Sequence, residues 1–97
     1  MTTDQMISAD EFCIYHKIEL TFIHSLSASG VIEIVRLDEK IFLPVTQLVV
    51  LEKMVRLHYE MDINLEGLET IHHLLVKMNA LHDQVTLLSN RLKAYEI

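Results

Sequence analysis

The chain of 97 residues contains one cysteine, one proline, two glycines and no tryptophan. The single thiol, Cys13, cannot form an internal disulfide, and no charged-then-apolar secretory segment opens the chain, so the expected location is a reducing cytoplasm. So little glycine and proline, with 51% hydrophobic residues, excludes long linkers and favours one ordered, helix-rich domain over residues 1–97. No apolar run approaches the ~20 residues that cross a bilayer, so no membrane contact is expected.

Basic residues are also scarce. Eight lysines and arginines stand against fourteen acidic residues, which gives a net charge of −6. Residues 1–43 alone contain seven acidic and three basic residues. Negative charge repels the phosphates of nucleic acids at long range and favours a basic partner surface. The composition therefore disfavours nucleic acid as a partner and favours a basic protein.

Motifs that carry catalytic or metal chemistry are missing. The chain has no glycine-rich phosphate loop, nucleophile elbow or paired acid motif, and its size leaves little room for an enclosed substrate pocket. Neither CxxC nor HExxH is present among the one cysteine and six histidines. His58 would approach His72 or His73 if the last two helices packed antiparallel, but packing histidines are the commoner outcome. We predict no enzymatic activity, no cofactor and no metal site.

A helix is predicted to begin after Ser8. Ser8 and Glu11 have the spacing of a capping box, in which the hydroxyl accepts from the amide three residues on. Residues 1–6 are polar and without pattern, so no structure is expected there. The helix should end near His16, with Phe12 and Tyr15 on one face.

A second short helix and a β-hairpin follow. The helix is predicted over residues 19–29 and should stop at Gly30 in a left-handed conformation. Residues 31–35 are β-branched and predict a strand, residues 36–40 a polar turn, and residues 41–43 the returning strand. Two short helices with a three-residue turn are typical of a helix-turn-helix, so residues 7–43 predict that motif with a small wing-like hairpin.

Residues 44–97 predict two further helices. Pro44 suits the start of a third helix that runs from residue 45 to about residue 61. Asn64 is a good cap for a last helix that continues toward Ile97 without a proline. Apolar side chains recur along it at intervals of three and four residues, which is typical of a helix-pairing stripe. The stripe consists of Ile71, Leu74, Met78, Leu81, Val85, Leu88, Leu92 and Tyr95.

This stripe has three possible partners: the third helix of its own chain, a second copy of the chain, or both along its length. We favour both, with the first half on the third helix and the distal half in a dimer. The residues expected to make this packing are Leu74, Met78, Leu81, Val85, Leu88, Leu92 and Tyr95. A homodimer is therefore expected.

The predicted order of elements resembles the head and the start of the dimerisation helix of MerR-type regulators. Three stretches are more specific: Glu11-Phe12-Cys13 followed by Ile18, Gly-Val-Ile-Glu at residues 30–33, and Arg-Leu-His-Tyr-Glu-Met-Asp-Ile-Asn-Leu-Glu-Gly-Leu at residues 56–68. Over about residues 7–93 the chain looks like the CbpM family of chaperone modulators. The resemblance implies a protein that binds the J-domain of a DnaJ-like, CbpA-type co-chaperone and restrains its co-chaperone and DNA-binding activities.

Two positions depart from the CbpM pattern. Lys17 stands at a turn position that is often glycine in relatives, and Ile34 stands where a proline often follows the Gly-Val-Ile-Glu element. Lys17 would adopt a left-handed turn at a cost of ~1 kcal/mol or form another turn. Ile34 would extend the predicted strand.

The acidic residues are the predicted contacts with a J-domain, because J-domains carry a basic helix with which they engage their chaperone. On the hairpin and along the third helix these are Glu33, Asp38, Glu39, Glu52, Glu60 and Asp62. For such charges a merely solvated surface is the commoner outcome. Surface occlusion would be the mechanism of inhibition.

A MerR-like DNA-binding transcriptional regulator is the alternative function. Its second helix would have to present Arg, Lys, Asn or Gln to base edges. The sequence offers Glu19, Thr21, His24 and Ser25 there, so the motif of a DNA reader lacks the matching chemistry. A third possibility is a dimerisation module that inhibits nothing and binds no J-domain.

Overall fold

A computed structural model describes residues 5–96 of the chain. Within that range four α-helices surround a small antiparallel sheet, which confirms the predicted mainly α fold. In chain order the elements are β1 (Met6–Ser8), α1 (Ala9–His16), α2 (Leu20–Ala28), β2 (Val35–Leu37), β3 (Lys40–Pro44), a 3-10 turn (Val45–Gln47), α3 (Leu48–Tyr59) and α4 (Leu65–Ala94).

The helix-turn-helix is formed as predicted. Ser8 Oγ accepts from the Glu11 amide at 3.4 Å at the start of α1. Lys17 ends α1 in the left-handed region, with φ 59° and ψ 48°, and the Ile18 amide donates to the Cys13 carbonyl at 3.0 Å. At the end of α2, Gly30 has a φ of 83°. These two left-handed residues set the directions in which the chain leaves each helix.

The predicted strand at residues 31–35 is wrong. Val31 and Ile32 are only 4% and 3% exposed and belong to the core, whereas the strand is β2. The strand β2 pairs with β3, with Val35 opposite Phe42. A short apolar run fits a buried loop as well as a buried strand, so periodicity alone misplaces this strand. Ile34 precedes β2 and extends no strand.

A third strand lies where the sequence predicted none. Met6–Ser8 pairs antiparallel with the end of β3, with Ile7 opposite Leu43. The sheet order is therefore β1-β3-β2, and the wing is a three-stranded sheet instead of a hairpin alone. Residues 1–4, for which no structure was predicted either, lie outside the described residues.

One core joins the head to the start of the long helix. Its fully buried side chains come from α2, β3, α3 and α4, which ties these elements into one packed unit. The largest of them are Ile23, Leu26, Leu43, Leu51, Met54 and Leu68. The chain therefore folds its head around the first turn of α4.

The turn between α3 and α4 is fixed by a histidine. His58 Nδ1 donates to the Ile63 carbonyl at 2.7 Å, and the His58 ring stacks on Phe22 with centroids 4.8 Å apart. Asn64 Oδ1 then accepts from the Gly67 amide at 2.8 Å and caps α4, as predicted. The third helix begins after the 3-10 turn instead of at residue 45, because Pro44 closes β3.

The helix α4 extends well beyond the head. Its 30 residues span ~45 Å at 1.5 Å per residue, and the longest dimension of the described molecule is 57 Å. No helix within residues 5–96 combines the length and apolarity needed to cross a membrane. The distal half of α4 is exposed along its length.

Candidate protein-binding surfaces

The helix α2 occupies the position of a recognition helix but lacks the side chains that read bases. Its residues, Leu20–Ala28, include no lysine, arginine, asparagine or glutamine. An exposed acid, Glu19, precedes it, and the Thr21 hydroxyl donates to the Glu19 carboxylate at 3.3 Å. Sequence-specific readout depends on amide and cationic side chains at base edges. This helix therefore presents a carboxylate and small polar groups instead.

The tip of the wing is also acidic. Asp38 and Glu39 form the turn between β2 and β3, and their φ values of 51° and 66° are both left-handed. Two successive residues of this kind are typical of a type I′ hairpin turn, which suits the twist of the strands. Both side chains are exposed. The wing thus projects two carboxylates where a DNA reader would need a cation for phosphates.

The outer face of α1 is apolar at its end and acidic at its start. Ile14 and Tyr15 are 78% and 82% exposed, so the prediction that Tyr15 shares the buried face of Phe12 is wrong. Asp10 and Glu11, in the first turn, lie four residues before them and so on the same side of the helix. This face is not covered by any part of the described chain.

A cavity of about 180 Å³ lies beside this face, between α1 and α3. Its lining residues are His16, Glu52, Val55, Arg56 and Glu60. The His16 Nε2 and Glu52 Oε2 atoms are 4.0 Å apart. The His16 ring packs on Phe12 with centroids 4.1 Å apart, which holds it at the cavity wall.

The apolar stripe of α4 is uncovered. The seven residues predicted to make helix packing are 55% to 88% exposed in the described chain. Leu68 is fully buried and Leu75 half-buried, so these side chains face the head. They lie about a third of a turn from Leu74 and Met78. The expected packing of Leu74 and Met78 on the third helix is not seen within the described chain, where the stripe is half-buried at Ile71 and exposed from Leu74 onward.

A family model described as MerR HTH family regulatory protein matches residues 7–90. The chain belongs to this family. None of the curated proteins is similar enough to count as a match. The match confirms the sequence resemblance at the level of the MerR family and agrees with a regulatory role. The narrower resemblance to CbpM stays a prediction.

The six predicted acidic contacts of this MerR family member are all exposed, but they do not form one cluster. Glu33 precedes β2 and its amide donates to Gln47 Oε1 at 3.1 Å, whereas Asp62 lies in the α3–α4 turn with a φ of 58°. Only Glu52 and Glu60 line the same cavity.

Sequence reasoning missed four residues of the α1–α3 surface. These are Ile14, Tyr15, His16 and Arg56. The available signal was the spacing of four that aligns the first-turn acids of α1 with Ile14 and Tyr15. In a helix of two turns this signal is weak, because neither side has enough residues to establish a period.

Cys13 and the histidines do not form a chemical site in the described part of the chain. Burial, and to a lesser degree the nearby Asp10 carboxylate, raise the pKa of the Cys13 thiol above its ordinary value. A raised pKa lowers the thiolate fraction and hence the reactivity of the sulfur. No three histidine, cysteine or acidic side chains among residues 5–96 are grouped to hold a metal ion.

Proposed function

We propose that this MerR family member modulates a DnaJ-like co-chaperone of the CbpA type by binding its J-domain. The observation that carries the proposal is that acids replace bases on the DNA-reading side of a helix-turn-helix fold. Glu19 stands before α2, and Asp38 and Glu39 form the tip of the wing. The resemblance of residues 7–93 to the CbpM pattern supplies the identity of the partner.

Charge complementarity supports this partner. A net charge of −6 attracts the basic helix of a J-domain over ~10 Å at ordinary ionic strength. Such steering raises the association rate, while a few buried apolar contacts set the dissociation rate. By covering the J-domain, the protein prevents the co-chaperone from engaging its chaperone and hinders its binding to DNA.

The proposal includes a homodimer that forms through the distal half of α4. Seven apolar side chains on one stripe are exposed in the single chain. Their spacing of three and four residues is that of helices that pair in a coiled coil. Removal of such a stripe from water stabilises a dimer by ~25 cal/mol per Å² of apolar area.

Isothermal titration tests the function directly. The full-length protein is titrated into the isolated J-domain of the co-chaperone from the same host at 50 and 300 mM salt, and into duplex DNA as the comparison ligand. We expect saturable J-domain binding that weakens at the higher salt concentration and no heat with DNA. Absence of J-domain binding at either salt concentration would contradict the proposal.

A second candidate function is DNA binding by a MerR-like transcriptional regulator. The match to the MerR family and the helix-turn-helix geometry favour it. The composition of α2 and the acidic wing tip oppose it, because phosphate contacts supply most of the affinity of such proteins. Tight, salt-sensitive binding of duplex DNA in the same titration would establish this function instead.

A further inference from the structure

Tyr15 on α1 and the cavity beside it form one continuous surface. Ile14 and Tyr15 project from the outer side of α1, almost fully exposed. The ring of Tyr15 meets the ring of His16 edge to face, with centroids 5.0 Å apart. His16 is itself a wall of the cavity between α1 and α3. Tyr15 thus stands beside a recess, whereas Ile14, two residues before His16, projects from nearly the opposite side of α1.

The size and lining of the cavity suit one long cationic side chain. Its volume of about 180 Å³ is below the ~300–1,000 Å³ of pockets that hold small-molecule ligands. Val55 provides an apolar wall for an aliphatic stem. Glu52 of α3 and Glu60, which caps the end of α3, both line the recess, so it has two carboxylates in its wall. A lysine or arginine from a partner fits this volume, with its aliphatic stem beside Val55 and its charge beside the carboxylates of Glu52 and Glu60.

The charges around the surface also favour a cation. Glu52 has one basic neighbour within 4.0 Å, His16, and no basic side chain of the described residues lies that close to Glu60. Lys17 and Arg56 are the basic residues beside this surface. Its acidic residues are Asp10, Glu11, Glu52 and Glu60.

We propose that this surface binds a basic amphipathic helix, which inserts one lysine or arginine into the cavity and packs an apolar side chain on Tyr15. The inference rests on the proposed function, in which the J-domain supplies that helix. A second copy of the chain is the less suitable occupant of this acidic surface, because the chain has only eight basic residues against fourteen acidic ones. Arg56 is the group in the cavity that opposes an incoming cation.

A pair of charge-matched double variants tests the surface. Glu52→Gln with Glu60→Gln removes both carboxylates of the cavity. Glu66→Gln with Asp83→Asn removes two exposed acids from α4 and changes the net charge by the same amount. In titrations against the isolated J-domain we expect the cavity variant to bind at least ~10-fold more weakly, and the α4 variant to stay within ~3-fold of the wild type.

Two single substitutions are expected to change the affinity for the J-domain in opposite directions. Tyr15→Ala removes an exposed ring without disturbing the core, and we expect binding to weaken ~10-fold or more. Arg56→Gln removes the competing cation, and we expect binding to strengthen several-fold. A gain in affinity cannot arise from misfolding, so this variant keeps the test valid even if the others are less stable. Thermal unfolding of each variant checks the fold.

The outcomes separate the surface from the function. If the wild-type protein binds the J-domain but the cavity variant binds as tightly as the wild type, the surface is wrong and the function stands. The proposed surface would also be wrong if Arg56→Gln weakened J-domain binding. It would equally be wrong if, among these variants, only the wing variant Asp38→Asn with Glu39→Gln weakened binding. If the wild-type protein does not bind, the proposed function fails and this surface loses its partner.

Discussion

Lys17 shows how a single residue fixes the angle between two helices. It adopts the left-handed conformation that ends α1, where a side chain costs ~1 kcal/mol relative to glycine. The turn is retained because Ile18 is buried and its amide is bonded to Cys13. The strain is therefore held by the packing of α1 and α2.

Replacing this residue should stabilise the protein. We predict that Lys17→Gly raises the free energy of unfolding by ~1 kcal/mol, because glycine adopts a positive φ without a Cβ clash. Urea denaturation measures the change.

The matched control is Lys53→Gly, at an exposed position within α3, which should lower the free energy of unfolding by ~1 kcal/mol. A loss of stability in both variants would show that Lys17 is not strained.

Residues whose role depends mainly on their neighbours in the sequence could be predicted from the sequence. The side chains of Ser8 and Asn64 accept hydrogen bonds from backbone amides at the start of a helix. Gly30 adopts a left-handed conformation after α2. The structure confirms all three predictions. The exposure of Tyr15 could not be predicted, because in a helix of two turns a shift of one position moves a side chain from the core to solvent. The outcome depends on which neighbours pack against α1, and the local sequence does not contain that information.

Among the elements, the helices were predicted more accurately than the strands. α1 and α4 begin at side-chain caps, and α4 has an apolar pattern that extends over several turns. β1 and β2 have three residues each, too few to show an alternation, and they form because β3 lies between them. The pairing of β1 with β3, which sets Ile7 opposite Leu43, joins residues far apart in sequence and is a property of the fold and not of either strand.

The stripe of α4 leads to a prediction about assembly. Leu88 lies on the stripe, whereas its neighbour Leu87 projects about 100° away from it and is similarly exposed. We predict that Leu88→Glu raises the dimer dissociation constant by ~100-fold or more, because it places a charge in the interface. Sedimentation equilibrium at several concentrations measures the association.

Leu87→Glu is the control, since it makes the same chemical change at nearly the same height on the helix. It should leave the dimer intact. A wild-type protein that sediments as a monomer, or equal effects of the two substitutions, would contradict pairing through the stripe.

At the scale of the whole molecule, the proposed activities are divided between two regions. The head presents acids just before α2, at the tip of the wing and in the α1–α3 cavity, while the distal half of α4 presents an apolar stripe. The prediction that acidic residues contact the partner came from the composition. The cavity was not predicted, because it depends on the tertiary fold that brings His16 of α1 beside Glu52 of α3.

Fluorescence anisotropy of a labelled duplex tests the central claim that this helix-turn-helix protein acts on a protein and not on DNA. Added alone, the protein should leave the anisotropy of the duplex unchanged. Added to the duplex bound by the full-length co-chaperone, it should lower the anisotropy to the value of free DNA, because the co-chaperone is withdrawn. An increase with the protein alone, or no decrease in the presence of the co-chaperone, would contradict the account.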